Sequence, residues 1–388
     1  MSILKRPPGD DFTFRLFFKL KSQVKSPANF VYIWSCVLDP IYEFGHWPTE
    51  DVWKVDTELD YRLSLEKSIN SDLVIIGVKD HLSSGNFDYW KDSIPIIAEY
   101  LKNLFEYYAD KKFVLLTSVE NLQSYISVDN VIIVPWGGDI TNHQKDYLNL
   151  DPVIEKNFDS SYTYLSLNRN KRAHRAMLIS LLYGLDLDKH GLISCMFKDS
   201  ITDLYEYTKW PEQDIYKQGF DKFKDSQLLL NDDPVIYNNG NNDNTSNFKN
   251  KLLPYYQNTF VEIITETSYT ESCYNLTEKT LNSIYGCCFP ILLCSAGSVD
   301  FLRSMGMDMF DDVVNHSYDS IEDPTDRLYK AVTDNLELLT NNQRTKELWQ
   351  THRHRFVKNV AFAKTTMYNF YTTRATSLLQ TAIEEHDL

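Results

Sequence analysis

The apolar residues of this chain gather in short dense runs separated by longer amphipathic stretches. Residues 30–37, 73–78, 113–117 and 131–134 are each almost continuously apolar, the pattern of strands covered on both faces of a parallel sheet. Between them, residues 94–108 repeat apolar positions at helical spacing. A second alternation starts near Ser160, with a strand at 162–167 and a helix from about Ala173 to Tyr183 closed by Gly184. It continues with a strand at 260–265, a helix within 275–286 entered through a Thr cap and left through Gly286, and a buried strand at 289–294. Asp323-Pro324 opens a further helical stretch, which runs to Glu385 without Gly or another Pro. Residues 1–29 predict an irregular lead-in, and residues 200–258 show little pattern beyond the polar tract 238–247, read as an exposed loop. Strands alternating with helices predict an α/β fold with parallel sheets, in which ligands bind beyond the carboxyl ends of the strands.

A length of 388 residues exceeds the usual size of one core, so two domains of roughly 150–200 residues are expected. The net charge of −15 disfavours duplex DNA and other polyphosphates as partners, unless a local basic patch overrides it. Six cysteines (Cys36, Cys195, Cys273, Cys287, Cys288 and Cys294) form no CxxC pair, which reads as buried thiols of a reducing compartment. No run reaches about 18 apolar residues, and residues 1–8 lack the apolar stretch of a signal peptide. The expectation is a cytoplasmic protein with no membrane span. Asn275-Leu-Thr277 is formally a glycosylation sequon, but a glycan there would block the helix start that follows.

Two stretches carry candidate chemistry. In the first, Asn168-Arg169-Asn170-Lys171-Arg172 leads from a strand into a helix whose first turn adds Arg175. Cations at a helix N-terminus oppose its dipole, so they are well placed only when an anion is to be received there. Arg169 with Arg172, and Lys171 with Arg175, are spaced to share a face of a first turn. In the second stretch, Thr277-Glu278-Lys279 opens a helix with an acid and a base together. Lys279 can answer phosphate charge, while Glu278 can grip two hydroxyls of a ribose. A solvated, ordinarily capped surface helix would show the same residues. Polar groups at the ends of the first four strands are Asp39, Glu43 and His46, then Asp80 and His81, then Gly137-Gly138-Asp139. Each also fits plain turn or cap chemistry. The single Asp-x-Asp triplet, Asp186-Leu-Asp188, follows a helix instead of a strand and is discounted as a metal site. His352 and His354 fall on different faces of their helix, which argues against a metal pair.

The segments 260–266, Tyr274-Asn-Leu-Thr-Glu-Lys279, Asn282 and Gly286…Phe289-Pro290-Ile291-Leu292 resemble the donor-binding motif of α1,3-fucosyltransferase-type enzymes. The loop 167–175 is similar to the phosphate-side loop of glycosyltransferases of the GT-B fold. The second half also resembles glycosyltransferase-like proteins of large bacteriophages and marine viruses, and the likeness covers roughly residues 160–335. The usual Val-Pro-Val after the Gly is replaced by Phe289-Pro290-Ile291, and residues 1–150 match no acceptor-domain motif.

The resemblance implies two Rossmann-like domains with a cleft between them. An acceptor domain would span 1–158 and a nucleotide-sugar domain 159–335, with helices at 336–388 packing back across both. A GDP- or UDP-linked sugar would be the donor and a glycan or other hydroxyl the acceptor, with no metal and no further cofactor. Donor contacts would come from Asn168, Arg169, Lys171, Arg172, Arg175, Glu266, Tyr274, Thr277, Glu278 and Lys279. In an inverting reaction the base would be Asp139, or else Asp80 or His81. The setting would be the cytoplasm of a bacterial or virus-infected cell. A viral glucosyltransferase acting on hydroxymethylated DNA bases, and an inactive nucleotide- or glycan-binding protein, are the competing expectations.

Overall fold

A computed structural model of the chain describes residues 30–35, 73–78, 94–107, 109–110, 112–117, 122–135, 147–169, 172–195, 214–226, 248–267, 269, 274 and 276–367, with short stretches at 369–370, 373–374, 377 and 380–381. Asp39, Glu43, His46, Asp80, His81, Asp139, Lys171, the tract 238–247, Cys36, Cys273 and Asn275 lie outside these residues. The chain divides into two compact units. The first comprises Met1–Asn142, Glu271–Asn275 and Tyr368–Leu388, and the second His143–Thr270 and Leu276–Met367.

In the first unit β1 (Phe30–Ser35), β2 (Leu73–Val78), β3 (Lys112–Thr117) and β4 (Val131–Pro135) form a parallel sheet in that order. Helix α1 (Ile94–Tyr107) buries Ala98, Leu101 and Phe105, an i, i+3, i+7 stripe. The Phe105 ring lies 4.9 Å from that of Phe113 on β3, and Asn130 donates 2.9 Å to the Phe105 carbonyl. All four apolar runs are strands, and the expected helix is present.

The second unit holds β5 (Tyr164–Ser166), β6 (Gly191–Ile193), β7 (Val261–Thr265) and β8 (Phe289–Leu293) in the parallel order β6-β5-β7-β8. From β5 the chain moves outward to β6, then returns to the other side of β5 for β7 and β8. The direction of winding therefore reverses between β5 and β7, and a parallel sheet opens a crevice beyond the carboxyl ends at such a reversal. Strand β6 is too short to leave a pattern in the sequence. Helix α2 (Ala173–Gly184) follows β5 and packs on α3 (Asp214–Asp225), whose Tyr216, Phe220 and Phe223 are buried. The contact needs Gly219, because a Cβ there would collide with the Ser180 carbonyl.

Helix α4 (Leu253–Gln257) leads into β7, and α5 (Glu278–Gly286) joins β7 to β8. The end of α5 differs from expectation. Cys287, not Gly286, takes the left-handed conformation, at φ 52°. Gly286 is needed because a Cβ would meet the Tyr256 ring. Beneath it, the buried Lys156 ammonium donates to the carbonyls of Tyr256 (2.6 Å), Thr259 (2.8 Å) and Gly286 (2.6 Å). It therefore supplies a cation to the carbonyl ends of both helices.

After β8 come α6 (Ser298–Ser304), α7 (Pro324–Thr333), α8 (Leu336–Thr340) and α9 (Asn342–Phe362). Asp323 caps α7 as expected, accepting the Thr325 and Asp326 amides at 2.9 Å each. Trp349 of α9 donates 2.6 Å to the Cys287 carbonyl, and Arg355 forks onto Asp308 at 2.6 Å twice. Helices α7 to α9 thus group with the second unit, whereas Tyr368–Leu388 groups with the first. Among the described residues no helix is long and apolar enough to cross a membrane.

Candidate functional site

The basic stretch leaves β5 at the crevice, and its first residue is spent on architecture. Asn168 is fully buried. Its amide donates to Ser166 Oγ at 3.0 Å and accepts from Thr265 Oγ1 at 3.2 Å, while its N–H donates 2.9 Å to Ser194 Oγ. One residue therefore clasps the carboxyl ends of β5, β6 and β7, its side chain holding β5 and β7 and its backbone N–H holding β6. Arg169 and Arg172 are half-buried. Arg172 is the N-cap of α2 with extended backbone (φ −144°, ψ 142°), so Arg169 and Arg172 lie outside the helix and the spacing rule for a first turn does not apply to them. The Arg172 side chain makes no cap hydrogen bond, and no acid lies in the first turn.

Arg175 turns inward. It is 1% exposed and donates 3.0 Å from Nη2 to the Thr265 carbonyl at the end of β7. Burial first, then the nearby Arg172 charge, lowers its pKa from 12.5 to about 9. The expected shared face of Lys171 and Arg175 is not what Arg175 presents, since it sits beneath the helix start. Next to it, His174 donates from Nε2 to the Glu266 carbonyl at 3.0 Å and stacks on Tyr269 at 4.8 Å. Burial and then the charges of Arg175 and Arg172 hold its pKa well below 6.5, so the imidazole is neutral at pH 7. Sequence reasoning did not single out His174 or Tyr269.

Helix α5 begins on the other side of the crevice. Thr277 is its N-cap, as expected, and accepts from the Lys279 amide at 3.3 Å and from the Lys279 ammonium at 2.9 Å. The main closure comes from Glu266, at the end of β7 and fully buried. Its carboxylate accepts from Thr277 N–H (2.9 Å) and Oγ1 (2.6 Å), and from Thr280 N–H (3.3 Å) and Oγ1 (2.6 Å). Lys279 Nζ stands 3.7 Å from Glu266 and 3.4 Å from Glu278. The expectation of a helix start with open N–H groups therefore holds poorly here, because a carboxylate already complements it. The side chains of Glu278 and Lys279 remain 28% and 20% exposed.

Tyr269 is itself held in place. Arg327 lies 4.7 Å from its ring and donates 2.5 Å to its carbonyl, while its hydroxyl donates 2.6 Å to the Pro324 carbonyl. Helix α6 is closed like α5: the Asp319 carboxylate accepts the Val299 and Asp300 amides at 3.0 and 3.1 Å. Of the three helices that directly follow β5, β7 and β8, two are closed by a buried carboxylate. At the start of α2, flanked by arginines, no such carboxylate stands among the described residues.

The structure thus gathers Asn168, Arg169, Arg172, Arg175, Glu266, Thr277, Glu278 and Lys279 around the carboxyl ends of β5 and β7 in one unit. Tyr274, half-buried, falls in the segment Glu271–Asn275 that groups with the first unit. Among the described residues no group of His, Cys, Asp or Glu could hold a metal ion, and Asp186 pairs with Lys222 at 2.8 Å. Cys195, Cys287, Cys288 and Cys294 are buried free thiols, and burial raises Cys287 to about 12 and Cys288 to about 11. No protein-family model matches this chain, and no curated protein matches its sequence.

Proposed function

We propose that the chain is a glycosyltransferase moving a sugar from a GDP- or UDP-linked donor to a hydroxyl of a glycan or similar acceptor. The observation that carries the reading is the reversal between β5 and β7, which places an arginine-flanked helix start beside a carboxylate-bearing one. A nucleoside diphosphate is polarised in the same sense, with an anionic diphosphate and a neutral, hydroxyl-rich ribose. Arg172 and the first-turn amides of α2 would take the diphosphate, and Glu278 the ribose hydroxyls. Lys279, drawn towards Glu266 and Glu278, would reach the diphosphate from the far side.

Cationic groups and a helix end placed there would stabilise the leaving diphosphate as its charge develops. Arg175 would act from below, as a buried charge fixed on β7. In this reading the two units are the two domains of a GT-B enzyme of the cytoplasm, and the acceptor and its base, Asp139, Asp80 or His81, belong to the first.

Thermal-shift titration of the whole chain with GDP, UDP, ADP and CMP tests the reading. Stabilisation by one diphosphate fixes the donor class, and no shift with any of them sinks it. Arg172→Ala should weaken the bound diphosphate by about 1–3 kcal/mol without lowering the melting temperature of the free protein. Arg175→Ala, by contrast, should lower that melting temperature, because it removes a buried partner of β7.

A further inference from the structure

Glu266 touches both helix starts. Its side chain gathers Thr277, Thr280 and Lys279 of α5, and its backbone carbonyl takes the His174 imidazole of α2. A helix needs no such partner to be capped: α7 is closed by its own Asp323. On α5, the Thr277 hydroxyl serves the Lys279 amide and Glu266 takes the Thr277 and Thr280 amides, so capping leaves only its bonds to the two threonine hydroxyls unexplained. Taking a carboxylate out of water is costly, and a buried ion pair is poor value for stability alone. Four donors and an ammonium nearly exhaust what a carboxylate can accept, which leaves little for a ligand.

We infer that Glu266 is a positioning residue that fixes the start of α5, and the Lys279 ammonium with it, against the start of α2. This rests on the donor-site reading for what the two starts bind, but the coupling between them can be measured without any ligand. The charge of Glu266 orients Lys279, so the two residues should act on one ligand contact, not on two.

The test uses the whole chain with Glu266→Gln and Lys279→Met, singly and combined. Glu266→Asp, which keeps the charge, serves if the Gln variant does not fold. Amide hydrogen exchange is followed at 173–176 and 277–280, and GDP and UDP affinities are measured by calorimetry. Glu266→Gln should speed exchange at both helix starts and weaken the diphosphate that binds the wild type by roughly tenfold, the scale of one charge-assisted hydrogen bond. It should add no further loss in the Lys279→Met background. Faster exchange confined to 277–280, an unchanged affinity, or losses that multiply would each overturn the proposal. A wild type that binds neither GDP nor UDP would overturn the donor reading, and exchange at the two starts would then decide the coupling.

Discussion

Glu262 on strand β7 and Glu266 just past its end are both buried, and their surroundings treat them in opposite ways. Glu266 meets four hydrogen-bond donors, whereas Glu262 has the Tyr256 hydroxyl at 2.9 Å and Lys156 as a neighbour already committed to three carbonyls. Burial outweighs the Tyr256 and Ser283 hydroxyls and the attraction of Lys156, and it pushes the Glu262 pKa from 4.5 up to about 8. At pH 7 Glu262 is therefore protonated in the folded chain and ionised in the unfolded one. Because the folded state holds the extra proton, stability falls as pH rises from 4.5 and stops falling above about 8. Each pH unit in that window costs about 1.4 kcal/mol, so the penalty at pH 7 is about 3 kcal/mol.

Glu262→Gln keeps the shape and leaves Tyr256 an oxygen to donate to, while removing the ionisation. It should stabilise the chain by about 3 kcal/mol at pH 7 and by close to nothing at pH 4.5. Urea denaturation at several pH values, with wild type and variant side by side, measures this directly. A difference that does not grow with pH, or a variant less stable at pH 7, would mean that Glu262 is folded as a charged partner of Lys156.

His174 gives the opposite pH dependence. Its folded pKa lies below the unfolded 6.5, so the unfolded chain takes up the proton first and stability drops as pH falls below 6.5. The urea midpoint of His174→Gln should fall less between pH 7 and 5 than that of the wild type, and an equal fall would show that the imidazole is not held neutral. Gly219→Ala should destabilise by about 1–3 kcal/mol, the usual cost of overpacking, because the new methyl meets the Ser180 carbonyl across the α2–α3 contact. Unchanged thermal stability in that variant would show that the two helices can part without loss.

What the sequence made legible was whatever is written within one turn or one strand. The four strands of the first unit, the Thr277 cap and the Asp323-Pro324 start all declare themselves through neighbours a few positions away. Strand β6 does not, since Gly191-Leu192-Ile193 is too short for a pattern and is held by pairing with Tyr164–Ser166. Helix α3 had a signal, Tyr216, Phe220 and Phe223 at helical spacing, inside a region whose polar tracts hid it. The site shows the same division. Glu266 looks like an acid at the end of a strand until α5 folds back and lays Thr277 and Thr280 on it. Arg175 looks like one more cation of a basic loop until the Thr265 carbonyl is placed beneath it. His174 looks like a spectator until Tyr269 and Glu266 close around it. Each of these contacts crosses from the β5–α2 segment to the β7–α5 segment, or from β7 to α5. Those of the first kind depend on strand order, which no local pattern encodes. The placing of β7 beside β5 is what turns a basic stretch and a Thr-Glu-Lys stretch about 100 residues apart into the two sides of one crevice.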